Sequence, residues 1–244
     1  MKLHSIRRVL IVLCLLAGVS ACAKPTPAPL PPAEIMARVV ANMKALKGFS
    51  FVIARSGAPA YIDTGHTWSL SRVDGDYVSP DKATGNARII GPGIVAAIKY
   101  ISIGDQYWET NYLTGKWWGC PRAQCFNPAI LFDPQKGIQP ILESDLSDVQ
   151  RLDNAQLEEL PGKDLYSLTG KMKGERLYPV SWGMIGPNPV TVHLWIDPEN
   201  FLVERIVMED PGTDKPEPSV WTVDFLNFDK VMDITPPPTT ESTP

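Results

Sequence analysis

A helix opens the regular part of the sequence. Between Glu34 and Lys47 the apolar residues recur at intervals of three or four, and the positions between them are largely polar. This spacing places the apolar side chains on one face of a helix, and Gly48 is suited to end it. The apolar face consists of Ile35, Val39, Met43 and Leu46.

From Phe49 onward the apolar period becomes two, which is typical of β-strands. Phe49, Phe51 and Ile53 alternate with neighbours that are smaller or more polar. Short strand patterns then recur between turns that contain Gly, Pro or Asp, and such a series pairs most simply as antiparallel neighbours. The predicted strands are Trp68–Ser71, Asn86–Ile90, Tyr100–Ile103, Gln106–Tyr112, Lys163–Gly170, Val190–Ile196, Leu202–Glu209 and Val220–Phe228.

The segment 127–153 interrupts the alternation and predicts two short helices in a long crossing. The order of helix, sheet, short helices and sheet is typical of an α+β domain in which helices cover one face of a mostly antiparallel sheet. A sheet of this length must twist and curl. Helices over the concave side of a curved antiparallel β-sheet leave a gap with apolar walls, and this gap is the candidate site.

The first 21 residues have the layout of a secretory signal peptide. Basic residues precede an apolar run, Val9–Val19, that is shorter than the roughly 20 residues a transmembrane helix needs. The run ends in a lipobox, Val19-Ser20-Ala21-Cys22, in which the cysteine is lipidated and becomes the mature N-terminus. We therefore expect an acyl anchor at Cys22 on the extracytoplasmic face of the cell membrane. The alternative is an ordinary signal peptide beside a bystander thiol.

Proline-rich segments flank the predicted domain. Residues 22–33 favour an extended polyproline II tether, which at about 3 Å per residue reaches about 30 Å from the anchor. Residues 236–244 consist of proline, threonine and serine with one glutamate, which is typical of a disordered tail. Residues 34–235 remain as a single domain, large enough to bury one core.

The charge balance narrows the range of partners. The formal net charge of the chain is −4, and loss of Lys2, Arg7 and Arg8 with the signal peptide takes it to −7. An acidic protein is poorly suited to bind nucleic acid or anionic headgroups by electrostatics. Membrane attachment must then come from the acyl chains.

Two cysteines remain after the signal peptide and the anchor are set aside. Cys120 and Cys125 lie five positions apart, and in an extracytoplasmic compartment they favour a disulfide. A zinc pair is the alternative, although neither a histidine nor a second cysteine pair lies near them in sequence.

The familiar catalytic motifs are absent from the sequence. It contains no Gly-x-Ser-x-Gly, no phosphate-binding Gly-x-x-x-x-Gly-Lys-Ser/Thr and no His-Glu-x-x-His. A catalytic triad would have to use His66, beside a turn glycine, or His193, in the middle of a strand. We therefore expect neither catalysis nor a cofactor or metal site.

Ten short segments of the mature domain follow one another in the order and spacing of a known family. They are Met43–Lys47, Val78–Asp81, Ile103–Trp108, Thr114–Trp117, Phe126–Ala129, Leu131–Pro134, Gly137–Ile138, Leu160–Tyr166, Leu168–Gly170 and Leu194–Asp197. Together they resemble the LppX/LprG family of lipoproteins, whose domain is related in shape to the LolA and LolB carriers. The resemblance covers nearly the whole mature domain. The loop at Cys120 and Cys125 and the segment 177–189 depart from it.

The resemblance implies a half-barrel with helices lining its open side, which encloses a hydrophobic cavity for the acyl chains of lipids or lipoglycans. It also suggests an envelope transporter as a partner, and we expect a monomer. An acyl chain needs only apolar walls, because each buried methylene contributes about 0.8 kcal/mol. The candidate cavity residues are Ile130, Leu131, Ile138, Ile141 and Leu142 on the short helices and Ile101, Ile103, Val192 and Leu194 on strands.

Other interpretations of the same residues stay open. Each candidate side chain could simply belong to the packed core. The domain could also be a LolA-like chaperone that accepts the acyl chains of other lipoproteins, or a scaffold for envelope proteins that binds no lipid.

Overall fold

The computed structural model describes residues 30–120, 127–212, 217–230 and 232–238, and the described residues from Pro31 onward form one compact unit. Within the described residues lie three α-helices, one 3₁₀ helix and twelve strands. The helices are α1 (Pro32–Ala45), the 3₁₀ helix (Pro128–Phe132), α2 (Ile138–Asp145) and α3 (Gly174–Val180). The strands are β1 (Gly48–Gly57), β2 (Ala60–Tyr61), β3 (Ser69–Val78), β4 (Lys82–Gly91), β5 (Ile94–Ile103), β6 (Gln106–Thr110), β7 (Trp117–Gly119), β8 (Ser147–Arg151), β9 (Tyr166–Met172), β10 (Val190–Ile196), β11 (Val203–Asp210) and β12 (Ser219–Leu226).

All the strands belong to one antiparallel sheet. Its order is β7-β6-β5-β4-β3-β1-β12-β11-β10-β9-β8, with the short β2 beside β3. Two meanders thus meet at the centre, where β1 pairs with β12 from Ser50↔Leu226 to Gly57↔Ser219. In the described part of the chain the edge strands β7 and β8 do not pair, so the sheet is an open half-barrel. The predicted fold class is confirmed.

One face of the sheet carries the core. Phe49, Phe51 and Ile53 of β1 are at most 4 % exposed and alternate with less buried residues. Across β12, Phe51 pairs with Phe225 and Ile53 with Val223, and directly opposed residues share a face. Strand β10 follows the same rule, since Val190, Val192, Leu194 and Ile196 are buried and the residues between them are not.

The long connection from β7 to β8 must cross the sheet, because these strands lie at opposite edges. Its described part forms the 3₁₀ helix and α2, which confirms the prediction of two short helices. The Phe132 ring lies 4.5 Å from that of Phe51 and 5.1 Å from that of Phe49, centroid to centroid. The crossing therefore covers the concave face and forms a roof over it.

Two hydrogen bonds attach the roof at its ends. Asn127 Nδ2 donates to Ser102 Oγ on β5 at 2.8 Å, and Asn127 Oδ1 accepts from the Ala129 N–H at 2.9 Å, which caps the 3₁₀ helix. At the other end, Gln139 Nε2 donates to the Met43 carbonyl of α1 at 3.2 Å. The roof is thus joined to the sheet on one side and to the opening helix on the other.

The predicted opening helix is present as α1, which begins at Pro32, a residue type favoured in a first helical turn. Helix α3 and strands β2, β7 and β8 were not predicted. None of the helices in the described ranges is long and apolar enough to cross a membrane.

Candidate functional site

Three cavities lie in a row between the concave face and the roof of the described structure. We name them the outer cleft, the middle cavity and the inner cavity. Their volumes are about 150, 20 and 20 Å³. The single interior volume expected from the sequence is therefore divided.

The outer cleft has both polar and apolar walls. It lies between two strand turns of the sheet and the roof, and its polar side chains are Asp81, Asn127 and Asp133. Trp182, which follows α3, adds an indole that is 41 % exposed. Behind the cleft, Tyr77 Oη donates to the Pro80 carbonyl at 2.6 Å, and burial raises the pKa of Tyr77 to about 12. The cleft thus offers an acidic, partly aromatic surface at the edge of the apolar interior.

The middle cavity is almost wholly apolar. From the sheet it is bordered by Ile53, Leu70, Val73, Met208, Trp221 and Val223. On the roof side, Leu131 and Ile138 come from the crossing, and α3, which completes the roof, contributes Leu177, Val180 and the loop after it. Ser181 is the one hydroxyl in the wall, and it is already engaged, since its Oγ accepts from the Ile185 N–H at 3.0 Å.

The inner cavity lies between α1, α2 and the sheet. Val39 and Met43 of α1, Leu142 of α2 and Phe132 form its roof side. On the sheet side it is bordered by Val203, Ile206 and Phe225.

Single side chains separate the cavities. Val180 borders both the outer cleft and the middle cavity, and Ile138 borders both the middle and the inner cavity. Both belong to short roof helices, α3 and α2, and not to the sheet.

Four of the nine predicted cavity residues border these cavities. Ile130 borders the outer cleft, Leu131 the middle cavity, Leu142 the inner cavity and Ile138 both of the last two. All four belong to the predicted short helices. The pattern in the crossing segment therefore indicated residues that border the cavities, and their role in binding a lipid stays a prediction.

Three of the other predicted residues are buried but do not border these cavities. Ile141 is 1 % exposed, and Val192 and Leu194 of β10 are at most 1 % exposed. Leu194 pairs with Ile206, so β10 presents its apolar side to the concave face, farther along the sheet. These three residues pack the core beside the cavities.

Ile101 and Ile103 lie on the opposite face of the sheet from that expected. Their neighbours Tyr100 and Ser102 are 1 % and 0 % exposed, whereas Ile101 and Ile103 are only partly buried. Because side chains alternate along a strand, Tyr100 and Ser102 occupy the concave face and the two isoleucines the outer one. The structure does not bring them to the cavities.

The predicted cysteine pair falls partly outside the described residues. Cys120 is 6 % exposed and disulfide-bonded. Cys125 lies outside the described residues, so its pairing with Cys120 stays a prediction, as does lipidation of Cys22, which also lies outside them.

Sequence reasoning missed the contribution of α3 and of Trp221. Helix α3 lies partly in the segment that departs from the family pattern, and its Pro179 obscured the helical period. Trp221 was included in a predicted strand without being assigned to the site. The alternation of buried residues along β12, Val223 and Phe225 among them, was the signal that could have placed it.

Several polar groups lie on the concave face beside the cavities. Burial raises the pKa of the Glu109 carboxyl, and the Tyr107 hydroxyl donates to it at 3.1 Å. Burial also raises the pKa of Tyr100 well above its ordinary value. Burial lowers the pKa of the Arg55 guanidinium, which donates to the carbonyls of Leu70, Gly57 and Ala58 at 2.6–2.9 Å.

Within the described residues no group of three or more metal-ligating side chains occurs.

Two solved structures of other proteins share this fold. LprF from Mycobacterium bovis superposes with a TM-score of 0.64 at 16 % identity, over 84 % of this chain and 95 % of that one. LppX from Mycobacterium tuberculosis superposes with a TM-score of 0.57 at 13 % identity, over 84 % of this chain and all of that one.

Comparison of sequences agrees with this. The lipoarabinomannan carrier protein LprG of Mycobacterium tuberculosis is 24 % identical over 192 residues, which cover 77 % of this chain and 76 % of LprG. LprG of Mycobacterium bovis matches to the same extent. The family model described as LppX_LprAFG lipoprotein matches residues 31–234, the greater part of the chain. The resemblance inferred from the sequence segments is thereby confirmed, and the chain belongs to the LppX_LprAFG lipoprotein family.

Proposed function

We propose that this protein is a membrane-anchored lipoprotein that binds acyl-chain lipids or lipoglycans in the cell envelope and transfers them. The observation that supports it most directly is the row of cavities under the roof. Val180 separates the partly polar outer cleft from the middle cavity, and Ile138 separates the middle from the inner cavity, both of which have almost wholly apolar walls. An acyl chain needs such walls and no reactive group, because its affinity accumulates with each buried methylene.

Binding requires the roof to move. The middle and inner cavities, at about 20 Å³ each, have room for little more than one water-sized group. An acyl chain would have to displace Ile138 and Val180 and push α2 and α3 outward. Both helices are short, at eight and seven residues, and α2 is tied to α1 through Gln139. Such elements can shift without breaking the hydrogen bonds of the sheet.

The outer cleft is suited to a polar headgroup. Asp81, Asn127 and Asp133 supply hydrogen-bonding side chains, and Trp182 supplies a ring surface. Carboxylates and amides bind hydroxyl-rich groups better than they bind anions. The relative LprG is named as a carrier of lipoarabinomannan, a ligand of this chemical type. A lipoglycan or other glycolipid is therefore the ligand class that the cleft favours.

The anchor belongs to the same proposal. Lipidation of Cys22 would hold the domain on the extracytoplasmic face of the membrane, and the proline-rich tether would let it reach about 30 Å. An envelope transporter is a candidate partner for the transfer step, and the protein would act as a monomer. Catalysis has no part in this function.

A matched pair of alanine variants tests the proposed path. Ile138→Ala should merge the middle and inner cavities and raise the affinity for a fluorescent fatty-acyl probe by about tenfold, because about two more methylenes find room. Ile141→Ala, on the same helix, removes the same atoms from a site that borders none of the three cavities. It should lower stability in the same way and leave the affinity unchanged.

The small volumes of the middle and inner cavities support one alternative function. If the roof does not open, the domain is an interaction scaffold with a packed interior. Absence of probe binding by the unaltered chain and by both variants would favour that scaffold over the carrier.

A further inference from the structure

We propose that Trp221 is the polar contact of the acyl ligand inside the middle cavity, where its indole N–H donates a hydrogen bond to a carboxyl oxygen. The proposal rests on the proposed lipid-binding function and adds the chemical group that this part of the site recognises. The group is a carboxyl oxygen, which either a free fatty acid or an ester-linked lipid can supply.

The first observation is an unpartnered donor. Trp221 is 3 % exposed, and no group in the described part of the chain accepts a hydrogen bond from its Nε1. Leaving a buried N–H without an acceptor is costly, so nearly all such groups in proteins are paired. Trp221 borders a cavity whose other walls are apolar except for Ser181, and that hydroxyl is already engaged. Because the described residues offer this N–H no acceptor, a ligand in the cavity is the acceptor that we infer.

The second observation is a neighbouring cation. Trp221 pairs directly with Arg55 across the β1–β12 ladder, so the two side chains share the concave face. Arg55 Nε donates to the carbonyl of Leu70, a residue that also borders the middle cavity, at 2.7 Å. Its Nη1 donates to two further carbonyls, and Nη2 has no acceptor in the described residues. A guanidinium held at this edge favours an oxygen that carries negative charge or a strong partial charge.

The position of the donor along the row fits an acyl ligand. The middle cavity lies between the outer cleft, which has polar side chains, and the inner cavity, which has apolar walls. In an acyl lipid the carboxyl oxygens likewise lie between the headgroup and the hydrocarbon chain. With the carboxyl group at Trp221, the headgroup would occupy the outer cleft past Val180 and the chain would pass Ile138 into the inner cavity.

The test compares three ligands of similar length on the purified full chain. Palmitate, methyl palmitate and hexadecane would each displace a fluorescent fatty-acyl probe. The unaltered chain should bind at least one of the carboxyl compounds about tenfold more tightly than hexadecane, as expected for one buried hydrogen bond. Preference for palmitate over its ester identifies a free acid, in which Arg55 contributes through its charge, and equal affinities identify an ester carbonyl.

Two variants distinguish the contribution of the hydrogen bond to ligand affinity from that of packing. Trp221→Phe keeps an aromatic ring and removes the N–H, so it should abolish the preference over hexadecane while hexadecane binding changes by less than about twofold. Tyr100→Phe removes the other unpartnered buried donor of the described structure, which borders none of the three cavities, and should leave every affinity unchanged.

The outcomes distinguish this proposal from the one on which it rests. If the unaltered chain binds all three ligands equally, or if Trp221→Phe retains the preference, Trp221 is not the contact and lipid binding still stands. If the unaltered chain binds none of them, the lipid-binding function itself is wrong and this assignment goes with it.

Discussion

At the scale of single residues, two glycines on the concave face leave room for the ring of β5 that turns inward. Strand β5 carries apolar residues on both faces, among them Ile101, Ile103 and Tyr100, so its alternation alone cannot choose the inner face. Strands β3 and β4 favour Tyr100 as the residue that faces inward. A Cβ on Gly75 or Gly85 would lie 2.5 or 2.8 Å from Tyr100 Oη, and only glycine leaves room for this ring. Such a cross-strand fit cannot be read from β5 by itself.

The buried carboxyl of Glu109 predicts how the stability of the folded protein depends on pH. Burial raises the pKa of this carboxyl in the folded protein above its value in the unfolded chain. The folded state therefore binds the proton more tightly, and its stability falls as the pH rises through the range just above the ordinary pKa of glutamate. Glu109→Gln removes this loss of stability, and its amide oxygen can still accept the hydrogen bond from the Tyr107 hydroxyl. Its melting temperature should exceed that of the unaltered chain by about 2–4 °C at pH 7, and the two should converge near pH 4. A difference that does not vary with pH would contradict this.

At the scale of elements, the sequence predicted the strands whose two faces differ and missed the elements without such contrast. Strand β10 was predicted with its observed bounds because buried and less buried residues alternate through all seven positions. Strand β8 has no fully buried residue, and in α3 the helix includes Pro179. Neither element therefore shows the regular period of buried residues that made the others predictable. Residues that border the cavities were therefore predicted in the crossing segment, whereas those of α3, after β9, were not.

The roof should be less stable than the sheet beneath it. Helix α2 has eight residues and no side-chain cap at its N-terminus, whereas β12 is hydrogen-bonded on both sides. Short helices are marginal without tertiary contacts, and the regions that open in a protein are those of low local stability. We expect amide hydrogens of α2 and α3 to exchange at least about tenfold faster than those of β12, as measured by hydrogen exchange. Equal protection would mean that the roof does not open locally.

At the scale of the whole molecule, the sheet forms a frame and the helices cover it. The first and last strands of the sheet pair at its centre, and in the described structure its edge strands do not pair, so the crossing segment joins α1 and α3 over the concave face. The family model spans this frame and its roof together, over residues 31–234. The curved sheet with its helical cover could be predicted from the sequence. The division of the interior into three cavities could not be predicted, because it depends on two side chains, Val180 and Ile138, in short helices.

The most direct measurement is the lipid content of the protein taken from its own membrane. The full chain would be purified from the envelope under mild conditions, extracted with organic solvent and analysed by mass spectrometry, with an Ile138→Trp variant prepared in parallel. We expect about one acyl lipid per chain, and a clear reduction in the variant because the larger side chain blocks the step from the middle to the inner cavity. A chain that retains its fold and yields no lipid in stoichiometric amount would contradict the proposal that this interior opens to hold one.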